Sequence, residues 1–218
     1  MMKKNGFTLA EVLLSLGIVG IVAAVTLPTL ILNVEKRKVG PSVMKAVNTL
    51  ESASTLALQV NDARKLSEIK KGSQTKLSLC GEILKDFTKI TQIPYSPKTD
   101  SPSSGTSYAT KDGIVILDSG YQDDKGAYFV TIDINGERGP NKDGKDLFEM
   151  YVLEDGIVAP VGSYLYTQKI GGHYWQDYCK TVDKNNESTK GTPSDTKTCA
   201  GSIVDNGGRV LYDYDAIK

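Results

Sequence analysis

An acidic, glycine-containing segment in the second half of the chain carries the residues best suited to bind a metal ion. It offers four oxygen donors, at Asp133, Asn135, Asp143 and Asp146. Hard cations such as calcium prefer carboxylate and amide oxygens on a tightly turning loop. The spacing is not that of an EF-hand, and no bidentate glutamate closes the loop. These residue types favour a plain turn that uses Asn, Asp and Gly for their backbone habits, so we expect no cofactor. The alternative is a calcium site formed by these four residues.

The residue types that carry most enzyme chemistry are sparse. One histidine, His173, and three cysteines are too few for a multi-ligand zinc site. A cysteine–histidine pair would require Cys80 or a cysteine that we assign to a disulfide below. No glycine-rich phosphate-binding loop follows a strand. We therefore expect a chain that is not an enzyme, with His173 on the surface or in core packing.

Two cysteines bracket a polar segment near the C-terminus. Cys179 and Cys199 enclose residues with little apolar surface to hold them in place, so a disulfide between them is expected in an export compartment. Closing a loop of about 20 residues should contribute roughly 3 kcal/mol in the chain-entropy picture. Cys80 lies on an apolar helical stripe, which indicates a buried free thiol. A different pairing and a link to another chain remain the alternatives.

Glu11 is the one ionisable side chain in an apolar run that covers residues 7–32. As a helix this run would be roughly 39 Å long, more than the roughly 30 Å of a bilayer's hydrocarbon core. A carboxylate deep in hydrocarbon costs on the order of 2.5 to 3.5 kcal/mol. Glu11 therefore either has a function or lies near the headgroups.

The residues before the apolar run predict its orientation. Lys3 and Lys4 precede it without any acid, which favours a cytoplasmic N-terminus and places the rest of the chain across the membrane. A cleavable secretory signal is the first alternative, with small residues at Val22-Ala23-Ala24 for a peptidase. The run is long for such a signal, and Glu11 fits it badly.

The segment Lys3-Lys4-Asn5-Gly6-Phe7-Thr8-Leu9-Ala10-Glu11, followed by an apolar helix, resembles the class III signal of type IV pilins and pseudopilins. That family has a short basic leader ending in glycine, then phenylalanine, then glutamate at the fifth mature position. The resemblance covers about the first 30 residues. It implies that a prepilin peptidase/methyltransferase cuts between Gly6 and Phe7 and methylates the new amino group of Phe7. It also implies assembly into a filament, in which Glu11 pairs with the Phe7 ammonium of a neighbouring subunit.

The spacing of apolar residues predicts a second helical half beyond the membrane. Positions from Val39 to Val60 recur at intervals of three and four, which is one stripe of an amphipathic helix. Gly40-Pro41 predicts a kink or short break. We divide the chain into a cleaved leader (1–6), a transmembrane and filament-core helix (7–32), an amphipathic extension (33–65) and a β-rich head (66–218) with a C-terminal disulfide-bounded region.

The head is expected to be an antiparallel sheet. Alternating or short apolar runs predict strands near residues 113–118, 127–135, 147–153 and 157–161, with a turn at Glu154-Asp155-Gly156. A short helix is predicted at 77–90, a loop at 95–113 and a final strand at 209–214. A half-buried sheet against the amphipathic helix gives an α+β fold, which is also the pilin-like arrangement.

Composition bounds the partners. The chain has 218 residues with 26 basic and 26 acidic side chains, and this balance argues against direct nucleic-acid binding. The resemblance to pilins implies a filament subunit, major or minor, with other pilin subunits, the membrane and an inner-membrane assembly platform as partners. The expected location is the cytoplasmic membrane before assembly and a periplasmic or extracellular filament afterwards. The alternatives are a type II secretion pseudopilin and a membrane-anchored or secreted binding module.

Overall fold

The computed structural model describes residues 8–69, 78–86, 88–95, 105–122, 125–179, 196–212, 214 and 217. The chain divides into two compact units, Met1–Lys38 and Val39–Lys218. Residues of helix α1 (Leu9–Val60) belong to both units. The helix is continuous through Gly40-Pro41, so the predicted break is absent there. Within the first unit, large apolar side chains of the helix are exposed along its whole described length.

The second unit contains a six-stranded antiparallel sheet in which neighbours in sequence are neighbours in space. Its strands are β1 (Ile90–Ile93), β2 (Thr106–Thr110), β3 (Val115–Gln122), β4 (Tyr128–Asp133), β5 (Leu147–Val152) and β6 (Val158–Pro160). This arrangement confirms the predicted α+β, pilin-like fold. The four strands expected from apolar alternation correspond to β3, β4, β5 and β6.

The apolar stripe of α1 and one face of the sheet form a single core. Val43, Leu50 and Ala57 of the helix are fully buried, in the same cluster as Val130 and Met150 of the sheet. The stripe is confirmed up to Ala57, whereas Val60 is exposed because the helix ends there.

Short helices complete the second unit: α2 (Tyr164–Lys169), α3 (Trp175–Tyr178), α4 (Cys199–Asp205), 3-10 turns at Leu66–Ile69 and Thr196–Thr198, and a π-helical turn at Leu79–Leu84. Three predictions were wrong here. The helix expected at 77–90 is only the π-helical turn, and Ile90 begins β1. The loop expected at 95–113 contains β2, and the described residues of 209–214 form no strand.

Candidate functional site: the N-terminal segment, the disulfide and the acidic loop

The start of α1 is built around a reciprocal pair of hydrogen bonds between Thr8 and Glu11. The Glu11 carboxylate accepts from the Thr8 backbone N–H and from the Thr8 hydroxyl, each at 2.8 Å. In return, the Glu11 N–H donates to Thr8 Oγ1 at 3.3 Å. This is a capping box, which satisfies two backbone donors that a helix start otherwise leaves unpaired. The sequence signal of this cap is Thr-x-x-Glu at residues 8–11.

The segment that follows meets the physical requirements of a membrane span. Leu9–Leu27 is a helical stretch of 19 residues with a mean hydropathy of 2.3, and none of it is buried inside the protein. Glu11 is exposed at its N-terminal end. The predicted cleavage and methylation residues, Gly6 and Phe7, lie outside the described residues.

The predicted disulfide is present. The sulfur atoms of Cys179 and Cys199 are 1.96 Å apart and the Cα atoms are 5.2 Å apart. Both cysteines are buried, Cys179 directly after α3 and Cys199 at the start of α4. Most of the polar segment between them lies outside the described residues. Cys80 is a buried free thiol, as its place on an apolar stripe predicted.

The four candidate calcium ligands lie at the end of β4 and in the connection between β4 and β5. Asp133, at the end of β4, accepts hydrogen bonds from the N–H groups of Asn135 and Gly136 and from the hydroxyl of Tyr95. Asp146, just before β5, accepts from the N–H groups of Asn141 and Lys142 and from the amide of Asn135. The contribution of Tyr95 was missed, because it comes from a distant part of the sequence.

These contacts join the acidic loop and Tyr95 in one hydrogen-bond network. Asp133 and Asp146 are both buried, and burial raises the pKa of Asp133 to about 6. The side-chain oxygen of Asn135 is buried without a hydrogen-bond partner. Among the described residues, no three His, Cys, Asp or Glu side chains gather in a metal-binding group. A cation would therefore need amide or main-chain oxygens to complete its shell, and calcium binding stays a prediction.

A second buried carboxylate, Asp118, was not identified from the sequence. It accepts hydrogen bonds from the Ser78 hydroxyl and the Cys80 N–H, both at 2.7 Å, and thereby joins the π-helical turn to β3. Burial raises the pKa of Asp118. Burial and the neighbouring Asp118 charge both raise the pKa of the Cys80 thiol well above its ordinary value. The thiol is therefore held in its protonated, unreactive form.

His173, the single histidine of the chain, is exposed.

Comparison with known proteins identifies the N-terminal segment. A family model described as the prokaryotic N-terminal methylation motif matches residues 1–27. No curated protein and no solved structure matches the chain. The motif supports an exported subunit of the pilin or pseudopilin type, a class that is usually non-enzymatic. It implies processing by a prepilin peptidase and assembly with other pilin subunits, and with the apolar helix it fits membrane anchoring before assembly. The chain carries the class III signal of type IV pilin-like proteins at its N-terminus.

Proposed function

We propose that this protein is a structural subunit of a type IV pilus-like filament, made as a membrane-anchored precursor. The observation that carries the proposal is Glu11 at the exposed start of an otherwise apolar helix. Among the described residues, Thr8 is the only hydrogen-bond partner of its carboxylate. A carboxylate placed in apolar surroundings is costly unless another group answers its charge. Packing of such helices in a filament core supplies that need.

Maturation would create the positive charge that pairs with Glu11. Cleavage between Gly6 and Phe7 releases the amino group of Phe7, and the same peptidase methylates it. The methylated amine stays cationic, so it can pair with Glu11 of a neighbouring subunit. Leaving either charge buried alone is strongly unfavourable, so a subunit out of register is penalised. The pair thus specifies subunit register more than it adds stability.

The proposal includes a membrane topology. Lys3 and Lys4 precede the span and favour a cytoplasmic N-terminus in a single-pass precursor. The second unit would then lie on the far side of the cytoplasmic membrane. An assembly platform in that membrane would transfer the matured chain into a periplasmic or extracellular filament.

A pseudopilin of a type II secretion system is the alternative. The acidic loop favours it, because some pseudopilins hold calcium in a loop of the head. Asp133 and Asp146 are brought into one connection here, together with the unpartnered oxygen of Asn135. Calcium-dependent stabilisation of the chain would support this alternative.

The cleavage site provides the test of the proposed function. Gly6 must enter a peptidase pocket that admits almost no side chain, so we expect Gly6→Val to leave a full-length, membrane-held precursor. Gly17→Val is the matched control, because it adds the same side chain at a helix position with open space around it. Mass spectrometry of the wild-type N-terminal peptide should find methylated Phe7. A mature start near Val25, or normal processing of the Gly6 variant, would refute the proposal.

A further inference from the structure

A cavity of about 160 Å³ opens in the second unit, between α1 and the β2–β3 hairpin. Its floor is apolar and buried, formed by Ala46, Ile114 and Ile116. Threonine side chains line its walls, at Thr49, Thr88 and Thr110. The cavity adjoins an open groove of about 620 Å³ along α1. Lys45, Thr49 and Thr88 line both.

Three lysines and one acid surround this cavity, which we call the lysine cleft. Lys45 comes from α1, Lys89 from the residue before β1, and Lys111 and Asp112 from the β2–β3 turn. Lys45 forms an ion pair with Asp112 at 2.8 Å. The side chains of Lys89 and Lys111 have no hydrogen bond or ion pair with the described part of the chain. The four side chains together carry a formal charge of +2 in a chain whose net charge is zero.

We propose that the lysine cleft binds a phosphate group. A phosphate monoester carries a charge of about −1.5 to −2 at neutral pH, which complements the excess at the cleft. Lysine ammonium groups bind phosphate as point charges and need no fixed fork geometry. The three lysines come from separate segments, so the fold gathers them and a run of basic sequence does not. The groove along α1, which also includes Met44 and Leu56, provides room for the body of an ester.

The first experiment measures phosphate affinity of the full-length chain in neutral detergent. Thermal unfolding is followed as inorganic phosphate replaces chloride at constant ionic strength. We expect the double variant Lys89→Gln/Lys111→Gln to bind phosphate roughly tenfold more weakly than wild type. The control is Lys65→Gln/Lys169→Gln, which removes two exposed lysines that line neither the cavity nor the groove and gives the same net charge. If both double variants lose the same amount, or if wild type gains nothing over chloride, the proposal is wrong.

The second experiment keeps the wild-type chain and therefore does not depend on variants folding. An amine-reactive reagent modifies lysines, and mass spectrometry reads their reactivity with and without inorganic phosphate. We expect at least a few-fold protection at Lys45, Lys89 and Lys111, with Lys65 and Lys169 unchanged. Uniform protection of all lysines, or none, would overturn the proposal.

A lipid arm distinguishes the two sources of a phosphate group. A soluble short-chain phosphatidylglycerol replaces inorganic phosphate in the same footprinting experiment. Protection by phosphate alone assigns the cleft to soluble phosphates, and protection by the lipid, alone or in addition, assigns it to headgroups. Protection by neither overturns the proposal.

Discussion

Two buried carboxylates, Asp118 and Asp133, connect parts of the second unit that are distant in sequence. Asp118 holds the start of the π-helical turn against β3, through Ser78 and the Cys80 N–H. Asp133 holds the β4–β5 connection and receives the hydroxyl of Tyr95. Hydrogen bonds to charged groups contribute about 1.5–3 kcal/mol each, while an unpaired buried carboxylate is costly. These residues explain how irregular segments are kept in place.

The raised pKa of Asp133 predicts a pH-dependent stability. Its folded-state pKa is about 6, above the ~3.9 of an unfolded chain, so the folded state binds this proton more tightly. The resulting stability is fully present below about pH 4 and is lost as pH rises through about 6. Two pKa units correspond to roughly 3 kcal/mol. We expect Asp133→Asn to lose this pH-dependent component, because an amide does not titrate in this range. Its oxygen can still accept from the N–H groups of Asn135 and Gly136, so the loop keeps those hydrogen bonds.

Chemical denaturation of wild type and Asp133→Asn between pH 4 and pH 7, in chelator, provides the measurement. The free energy of unfolding of wild type, relative to the variant, should fall across this range. The same substitution at Asp155, an exposed acid in the β5–β6 turn, controls for the change in net charge. A difference between wild type and Asp133→Asn that stays constant with pH would contradict the assignment.

Calcium binding by the acidic loop is tested separately. If Asp133, Asn135, Asp143 and Asp146 bind calcium, the full-length chain should unfold at a higher temperature with calcium than with chelator. Calcium at about 100 times its dissociation constant would add roughly 2.7 kcal/mol. Asp143→Asn should weaken the shift, because it removes one candidate carboxylate ligand. It leaves the hydrogen bonds of Asp133 and Asp146 in place, so the loop should keep its fold. No shift at millimolar calcium would show that the loop is a turn that does not bind calcium.

At the level of elements, α1 packs closely against the C-terminal part of the chain at one glycine pair. A Cβ atom added to Gly40 would collide with the backbone carbonyl of Gly208. Gly208 follows α4 and has a φ of 85°, a left-handed conformation that glycine adopts without strain. Glycine at position 40 therefore allows two backbone segments to approach, which offsets its weak helix propensity.

This close approach predicts the effect of Gly40→Ala. Alanine favours a helix by about 1 kcal/mol over glycine, but its Cβ atom would force the two segments apart. Overpacking typically costs about 1–3 kcal/mol, so we expect net destabilisation of the second unit. Gly20→Ala is the control, because nothing lies within 4 Å of a Cβ atom there. Thermal unfolding of the full-length chain in detergent should separate the variants. A Gly40→Ala chain as stable as Gly20→Ala would show that the contact relaxes without cost.

At the scale of the whole molecule, the two units differ in whether their apolar side chains are buried. The second has a buried core that includes Leu50, Ile132 and Phe148. The large apolar side chains described in the first unit, between Leu9 and Val34, are exposed. An exposed apolar helix of this length requires a membrane or other subunits around it. The isolated chain does not bury these side chains, so the first unit needs a membrane or neighbouring subunits around it.

Assembly is the prediction at this scale. In a membrane anchor alone, Glu11→Ala removes a costly charge and should insert at least as well as wild type. In a filament subunit, the same change leaves a neighbour's Phe7 ammonium without its partner, a loss of roughly 3 to 5 kcal/mol when fully buried. Membrane insertion and cleavage at Gly6 should survive, while incorporation into filaments should fall. Glu11→Asp should be intermediate, since its carboxylate reaches about one methylene less far.

Sheared filament and membrane fractions of the three versions provide the measurement, in cells where this subunit is abundant. Thr8→Val adds a matched variant, because it removes the hydroxyl that donates to Glu11 and keeps the carboxylate. It should disturb assembly less than Glu11→Ala. If Glu11→Ala assembles as well as wild type, the pairing between subunits is wrong for this protein.

Local patterns in the sequence were sufficient for several features. The class III signal was recognisable from Lys3 to Glu11, and the stripe of α1 from helical spacing alone. Strands β3 to β6 were evident because apolar residues recur along them. The Cys179–Cys199 disulfide was suggested by the polar segment that it closes. In each case the decisive information lies within one segment or one pair of residues.

Features that depend on pairing between distant segments were decided by the tertiary structure. Strand β2 reads Thr-Ser-Tyr-Ala-Thr, a weak apolar pattern that becomes a strand because β1 and β3 supply its hydrogen bonds. Helix α4 contains Gly201, which opposes helix formation by about 1 kcal/mol. Glycine is needed at this position because α4 packs against the backbone of Gly162 and Ser163, where any larger side chain would collide. The burial of Asp118 likewise required the partners that the fold brings to it.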